Sequence, residues 1–477
     1  MCNEAMDSSL GYDFVVIGGG SAGYAAARTA VAQGLKTAVV EGGSEVGGLC
    51  ILRGCMPSKT LIESANRTLA AREAREFGVN LPTPTVDISA VIARKRSLIR
   101  DFADYRRGQL EEGSFDFFRG CAEFEDARRV GVTLRDGGKI ALESSYFLVA
   151  TGSRSWHPEV PGLDEVQVLT SDDILDAESL PHSVVVLGAG PVALEMAHYL
   201  QAMGTRVTII QRGRQFLRGV DSDVAAVVEQ AFRDRGMEVF TGTQLRRIEC
   251  GGEGILVHFQ SDAGPLTLGA EAIFNGLGRR PHLEGLGLER AGISVAEGHL
   301  AISGTQQTTQ PGIFAAGDCC GPFEIVHIAI QQGELAARNA ARLHEGDARL
   351  ESMDYRLKLF VVFTEPQVAT VGLSESEARQ KNIPYQAATY AFDDHGKSLV
   401  MGARRGFVKL LAAPDSGEIL GGSVVGPHAG DLIHEIVVAM RFRATAAQLA
   451  TVPHYHPTLS EIWLYPAEEL AEKMSQP

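Results

Sequence analysis

Two segments of this chain follow one plan: an apolar strand, a glycine turn, a helix and a second short strand. The first begins with residues 12–17, bends through Gly18-Gly19-Gly20-Ser21-Ala22-Gly23, continues as an alanine-rich helix to about Gln33, and returns as a strand over 37–40 that ends on Glu41. The second repeats this with residues 183–187, the turn Gly188-Ala189-Gly190-Pro191-Val192-Ala193, a helix over 194–203 and a strand over 206–210. Such a unit suits a dinucleotide for geometric reasons. Gly18 permits the tight bend, Gly20 lets the backbone approach a pyrophosphate, and Gly23 lets the helix pack on its strand. The phosphates then lie at the positive end of the helix dipole. Glu41 is positioned to accept hydrogen bonds from a ribose 2′-hydroxyl.

The second unit differs in its chemistry. Gly188 and Gly190 keep their places, and Ala193 takes the third, still small enough to pack. Its closing strand ends on Gln211 and is followed by Arg212, Arg214 and Arg218. A carboxylate there would repel a 2′-phosphate, whereas guanidinium groups pair with one bidentately. The expectation is a site that takes NADPH in preference to NADH, the alternative being a solvated basic loop. Two nucleotide units in one chain imply two dinucleotides exchanging a hydride, one of them a flavin.

The 477 residues allow two to four domains at roughly 100–200 residues each. Helical patterns fill 58–75 and 88–113, with short strands near 120–124 and 131–134. After about Tyr355, strand-like runs (358–363, 406–411, 419–425) alternate with helices (374–381, 430–442), an α+β texture. A net charge of −15 argues against nucleic acid, whose phosphates demand a basic face. No apolar run approaches the roughly 20 residues of a membrane span. The stretch from Met1 to Gly11 lacks the pattern of a signal peptide. Seven cysteines (Cys2, Cys50, Cys55, Cys121, Cys250, Cys319 and Cys320) are too few for a disulfide framework, and their odd number fits a cytoplasmic chain.

The decisive stretch is Gly47-Gly48-Leu49-Cys50-Ile51-Leu52-Arg53-Gly54-Cys55-Met56-Pro57-Ser58-Lys59. Gly54 allows the sharp path that brings the two cysteines together, and Pro57 suits the first turn of a helix. A helix N-terminus and the Lys59 ammonium one turn on both favour a thiolate at Cys55. A zinc site would need a further Cys or His pair at ligand spacing, and none is evident, so no metal is expected. Near the other end, His454-Tyr455-His456-Pro457-Thr458-Leu459-Ser460-Glu461 offers an imidazole that a carboxylate can orient for acid/base work.

These motifs together resemble the class I flavoprotein disulfide reductases, the family of dihydrolipoamide dehydrogenase, glutathione reductase and mercuric reductase, from about Tyr12 to Tyr465. The resemblance implies an α/β chain with two Rossmann-like dinucleotide-binding domains and a C-terminal α+β dimerisation domain. It divides the chain into an FAD-binding domain (1–152 and 281–350), an NAD(P)-binding domain (153–280) and a dimerisation domain (351–477). It implies that Cys55 faces FAD as the charge-transfer thiol, that Cys50 exchanges with substrate, and that Lys59 lies by the flavin, paired with Glu195. His456 would be the acid/base and Glu461 its partner, acting across an obligate homodimer, with His454 structural. Ala122 matches an adenine contact, Thr151 and Gly152 close the first FAD segment, and Asp318 in Ile313-Phe314-Ala315-Ala316-Gly317-Asp318 holds the ribityl chain.

The sequence departs from the family's pattern at several points. Leu49 stands where a threonine is usual, Leu52 where an asparagine is common, and Asn275-Gly276-Leu277-Gly278-Arg279-Arg280-Pro281 replaces the commoner Ala-Thr-Gly, leaving Gly278 as the cofactor-facing glycine. The implied activity is electron transfer between NADPH or NADH and a dithiol/disulfide, small or lipoyl-borne. His327 and the dyad resemble dihydrolipoamide dehydrogenase. The run from Phe363 to Gly372 is similar to mercuric reductase, although that enzyme's C-terminal cysteine pair has no counterpart. A metal-ion reductase and a non-catalytic flavoprotein partner are the alternatives; a one-cysteine flavin oxidase or peroxidase fits the paired motif less well.

Overall fold

The computed structural model describes residues 9–252 and 254–475; Cys2 and most of the stretch read for a signal peptide lie outside them. The chain packs as two compact units. One comprises the chain up to Pro57, Ala93–Trp156 and Gly278–Asp354; the other comprises Ser58–Ile92, His157–Leu277 and the chain from Tyr355 onward.

In the first unit, Ser9–Ile17 is the centre of a parallel sheet, with Thr37–Glu41 and then Asp116–Asp126 on one side and Lys139–Val149 and then Ile313–Ala315 on the other. Phe14, Val15 and Val16 are fully buried, as a strand covered on both faces requires. Arg129–Leu134 pairs antiparallel with the far ends of Asp116–Asp126 and Lys139–Val149. The alanine-rich helix Ser21–Ala32 packs against Val326–His344, so closely that a Cβ on Gly333 would collide with the Ala22 carbonyl. The chain can bend sharply where that strand ends because Gly18 has φ 110°, and a side chain there would strike the Ala150 carbonyl.

The second unit holds a parallel sheet ordered Glu238–Phe240, Arg206–Ile210, Ser183–Leu187, Ala272–Asn275 and Val168–Leu169. It also holds a five-stranded antiparallel sheet formed by Leu359–Val362, Gln367–Gly372, Ile419–Gly426, Phe407–Ala412 and Gln386–Ala391. Lys409, on that sheet and 1% exposed, meets the carboxylates of Asp221 at 3.3 Å, Asp223 at 2.6 Å and Glu375 at 2.8 Å. Three acids around one buried ammonium offset its desolvation.

Several elements differ from the sequence reading. The cysteine helix begins at Cys55, not at residue 58, and a separate short helix, Gly48–Leu52, carries Cys50. The second glycine-turn helix starts at Pro191, whose missing N–H costs nothing in the first turn. A three-stranded antiparallel sheet (Gln244–Gly251, Gly254–Ser261, Gly264–Ala270) was not expected; its first strand breaks the apolar–polar alternation at Arg246 and Arg247.

Helices Cys55–Glu73 and Pro191–Ala202 are tied at two levels. His198 is fully buried; its Nδ1 accepts from Arg235 Nη1 at 2.9 Å, so its Nε2–H must donate to Asn66 Oδ1 at 2.8 Å. Burial, followed by the Arg235 charge, depresses the His198 pKa to about 3. The unfolded chain therefore binds the proton that the folded chain refuses, and stability falls as pH drops below the ordinary histidine value. His198→Gln should lose about 2 kcal/mol less than the parent between pH 7 and pH 5 in urea unfolding; equal losses would show that His198 protonates freely in place.

Ala193 and Gly276 face each other in the second unit. A Cβ on Gly276 would lie 2.5 Å from the Ala193 Cβ and 2.8 Å from the Leu187 carbonyl oxygen. Gly276→Ala should therefore cost about 1–3 kcal/mol of overpacking, read as a lower denaturation midpoint. An unchanged midpoint would mean that the turn has slack.

Candidate active site

Both glycine turns end in helices that lack a side-chain cap. Gly20 and Gly190 occupy the N-cap positions, and neither Ser21–Ala32 nor Pro191–Ala202 receives a capping hydrogen bond. Their first-turn N–H groups are thus left for an anion. Space is available as well: a Cβ on Gly20 would meet nothing nearer than the Gly48 Cα at 3.8 Å, and one on Gly190 nothing within 4 Å. Gly23 closes the first turn from below, since a side chain there would strike the Gly18 carbonyl. Gly188 does the same work in the second turn, 2.6 Å from the Gly276 carbonyl oxygen if it bore a Cβ.

Glu41 ends its strand beside the first turn. It accepts hydrogen bonds from the Gly19 N–H at 2.8 Å and the Gly43 N–H at 2.6 Å, which fix its carboxylate and leave lone pairs for a ribose. Ala122 is buried in the strand Asp116–Asp126. Thr151 donates its hydroxyl to the His282 carbonyl at 2.7 Å, and Gly152 turns with φ 69°. Asp318 accepts a hydrogen bond from Ser153 Oγ at 2.6 Å, and that hydroxyl in turn receives Arg279 Nε at 2.8 Å. Ser153, and its link to Arg279, were not read from the sequence, because no motif spacing joins residues so far apart. These groups line one end of the first unit's sheet and fit FAD: an open cradle for phosphates, a carboxylate for a ribose and a second carboxylate, Asp318, for a hydroxylated chain.

The cysteine loop packs on the same turn. A Cβ on Gly48 would lie 2.6 Å from the Gly20 Cα, so the short helix carrying Cys50 rests on the first glycine turn. Gly54 sits against that helix; a Cβ there would come 2.9 Å from the Leu49 carbonyl oxygen and 3.2 Å from the Cys50 Cα. Its φ is ordinary, so glycine is needed for close approach and not for an unusual bend. Leu52 fills the space beside Gly47. Cys50 and Cys55 are both partly exposed.

In the second unit, Lys59 Nζ lies 2.8 Å and 3.0 Å from the two oxygens of Glu195, which is 4% exposed. The Phe363 N–H donates to Glu195 at 3.0 Å, and the Phe363 ring lies 4.8 Å from the Lys59 ammonium. A buried carboxylate held by a cation and a backbone donor is fully compensated. Arg212 and Arg218 are exposed at the end of Arg206–Ile210, whereas Arg214 pairs with Asp262 at 3.1 Å. Gly278 turns with φ 121°.

His456 Nδ1 lies 3.0 Å from Glu461 Oε2; the imidazole is 79% exposed and the carboxylate 10%. With Nδ1–H donating to the carboxylate, Nε2 is free to take or give a proton. His395, missed by the sequence reading, is fully buried behind Glu461, with Nε2 3.4 Å from its other oxygen and Nδ1 2.8 Å from Ser398 Oγ. Burial lowers its pKa and keeps it neutral, although the Glu461 charge opposes this. His454 pairs with the half-buried Glu435 at 2.7 Å. Among the described residues, no cluster of three or more His, Cys, Asp and Glu side chains could hold a metal, and no helix is long and apolar enough to cross a membrane.

Comparison with known proteins agrees over most of the chain. Residues 12–333 match the family described as Pyridine nucleotide-disulphide oxidoreductase, and residues 360–466 match its dimerisation domain. The mercuric reductase of Streptomyces lividans is 35% identical over 459 residues, which cover 96% of this chain and 95% of that protein. The dihydrolipoyl dehydrogenase of Chlamydia muridarum (strain MoPn / Nigg) is 32% identical over 455 residues, covering 95% of each. The crystal structure of LpdA from Mycobacterium tuberculosis superposes with a TM-score of 0.86 at 29% identity, covering 96% of this chain and 99% of that one. With uncapped helices on two glycine turns, a cysteine loop seated on the first, and matches of this extent, the chain belongs to the FAD-dependent, NAD(P)H-using pyridine nucleotide-disulphide oxidoreductases.

Proposed function

We propose that this protein is a cytoplasmic, homodimeric NADPH:disulfide oxidoreductase of the dihydrolipoamide-dehydrogenase type, acting on a small or lipoyl-borne dithiol/disulfide. In this reading residues 1–152 and 281–350 bind FAD, 153–280 bind NADPH and 351–477 form the dimer. The observation that carries it is the Cys50–Cys55 loop, folded tightly over Gly54 and resting on the Gly20 turn. FAD bound to these residues would supply the two-electron link between the nicotinamide and the cysteine pair.

The chain's own groups supply the remainder. Gly18, Gly20, Gly23, Glu41, Ala122, Thr151, Gly152 and Asp318 hold the flavin dinucleotide. Gly188, Gly190, Ala193, Arg212, Arg218 and Gly278 hold NADPH. Lys59, anchored by Glu195, provides a fixed positive charge. In the reduced pair, the Cys50 thiolate attacks the substrate disulfide, forming a mixed disulfide and expelling one thiolate, which His456 protonates. Cys55 then attacks the Cys50 sulfur, closing the protein disulfide and releasing the second thiol. Glu461 orients the imidazole. Across the dimer, His456 of one subunit serves Cys50 of the other.

Cys50→Ser should lower disulfide turnover at least about a thousandfold while NADPH still bleaches the flavin absorbance. Retained turnover would refute the scheme. The relative named mercuric reductase supports a second reading, in which the same sulfurs deliver electrons to a soft metal ion; metal-dependent NADPH oxidation exceeding every disulfide-dependent rate would favour it.

The arginines carry the nucleotide preference. Arg212→Ala and Arg218→Ala should each raise the NADPH KM about tenfold and the NADH KM far less. Equal effects on the two nucleotides would remove the basis for an NADPH preference.

A further inference from the structure

The carboxylate of Glu461 has an imidazole on either side, and the two differ in how firmly they are held. His456 is 79% exposed, with Nδ1 3.0 Å from Oε2; His395 is fully buried, with Nε2 3.4 Å from Oε1. His395 belongs to an excursion between the strands Gln386–Ala391 and Phe407–Ala412. Phe392 anchors that excursion, since it is fully buried against Gly426, where a Cβ would come 2.2 Å from its ring. Ser398, also fully buried, fixes the imidazole through its Oγ, 2.8 Å from Nδ1. The Tyr465 ring meets His395 edge-on with centroids 6.3 Å apart.

An ionised carboxylate can only accept, so the nitrogen that faces it carries the proton. The Nε2–H of His395 therefore points at Glu461, and Nδ1 accepts from the Ser398 hydroxyl. Among the described residues this Nε2 has no nearer acceptor. The terminal torsion of a glutamate is soft, and an exposed ring such as His456 cannot by itself keep the carboxylate in one plane. A buried donor on the far oxygen can. The contact is long for a hydrogen bond, as suits a group that steadies Glu461 without drawing it away from His456.

We propose that His395, oriented by Ser398, is a positioning residue for disulfide exchange: its Nε2–H holds Glu461 Oε1 so that Oε2 stays aimed at His456 Nδ1. The proposal rests on His456 and Glu461 as the acid/base pair and deepens that reading by naming the group that fixes it from behind.

A double-mutant cycle on the holoenzyme tests it. NADPH-driven reduction of lipoamide or glutathione disulfide, whichever the parent turns over faster, is followed in His395→Leu, Glu461→Gln and the two combined. Glu461→Gln should lower kcat about a hundredfold. His395→Leu should lower kcat about tenfold with the disulfide KM within about twofold of the parent, and should cost nothing further on the Glu461→Gln background. His395→Gln, which keeps an N–H of similar reach, should recover most of the parent kcat. Reduction of the flavin by NADPH alone should keep its rate throughout.

Additive losses in the cycle, or a folded His395→Leu protein with the parent's kcat, would overturn the proposal. So would an equal loss in His395→Leu and His395→Gln, which assigns the residue to packing alone. Should His395→Leu fail to fold, Ser398→Ala decides in the same cycle: about a threefold loss alone and none beside Glu461→Gln. Undiminished turnover in Glu461→Gln would sink the acid/base reading itself, and the positioning role with it.

Discussion

The first helix can sit on its strand only because Gly23 presents nothing but hydrogen to the Gly18 carbonyl. That contact sets where the helix begins, and the helix begins without a cap. Bare N–H groups at the end of a buried sheet are a standing demand for negative charge. Much of the surrounding structure answers to this position. Glu41 is pinned by the turn's own Gly19, and the cysteine helix leans on Gly20 through Gly48. Displacing the turn would therefore move the helix that carries Cys50 with it.

Charge is handled differently in the two halves. The first turn is matched by a carboxylate that the backbone holds in place. The second is matched by exposed arginines that no acid neutralises among the described residues, except Arg214. Deeper inside, ionic groups come in compensated sets: Lys59 with Glu195 and a backbone donor, Lys409 with three acids.

Much of this was legible in the sequence. The glycine turns, Glu41, the cysteine pair and His456 with Glu461 each depend on residues close together in the chain, where spacing carries geometry. The Lys59–Glu195 pair joins distant residues and came only through resemblance. His395, Ser153 and His198 escaped altogether, as did the pairing of Arg279 with Ser153: each acts through a partner that only the tertiary packing brings near, and an isolated His or Ser bears no local signature. Two mechanistic details also needed coordinates. Gly54 serves by its lack of bulk rather than by its backbone angle, and Cys50 belongs to a helix of its own.

The facing positions 193 and 276 share room for one methyl group, and here it belongs to Ala193. Were residue 193 a glycine, as in the first turn's Gly23, the nearest obstacle to a side chain at 276 would go, leaving the Leu187 carbonyl oxygen at 2.8 Å to give way. The two sites should thus drift together among related sequences, gaining and losing a carbon in opposition. A substitution that reads as harmless at one of them is conditional on the state of the other.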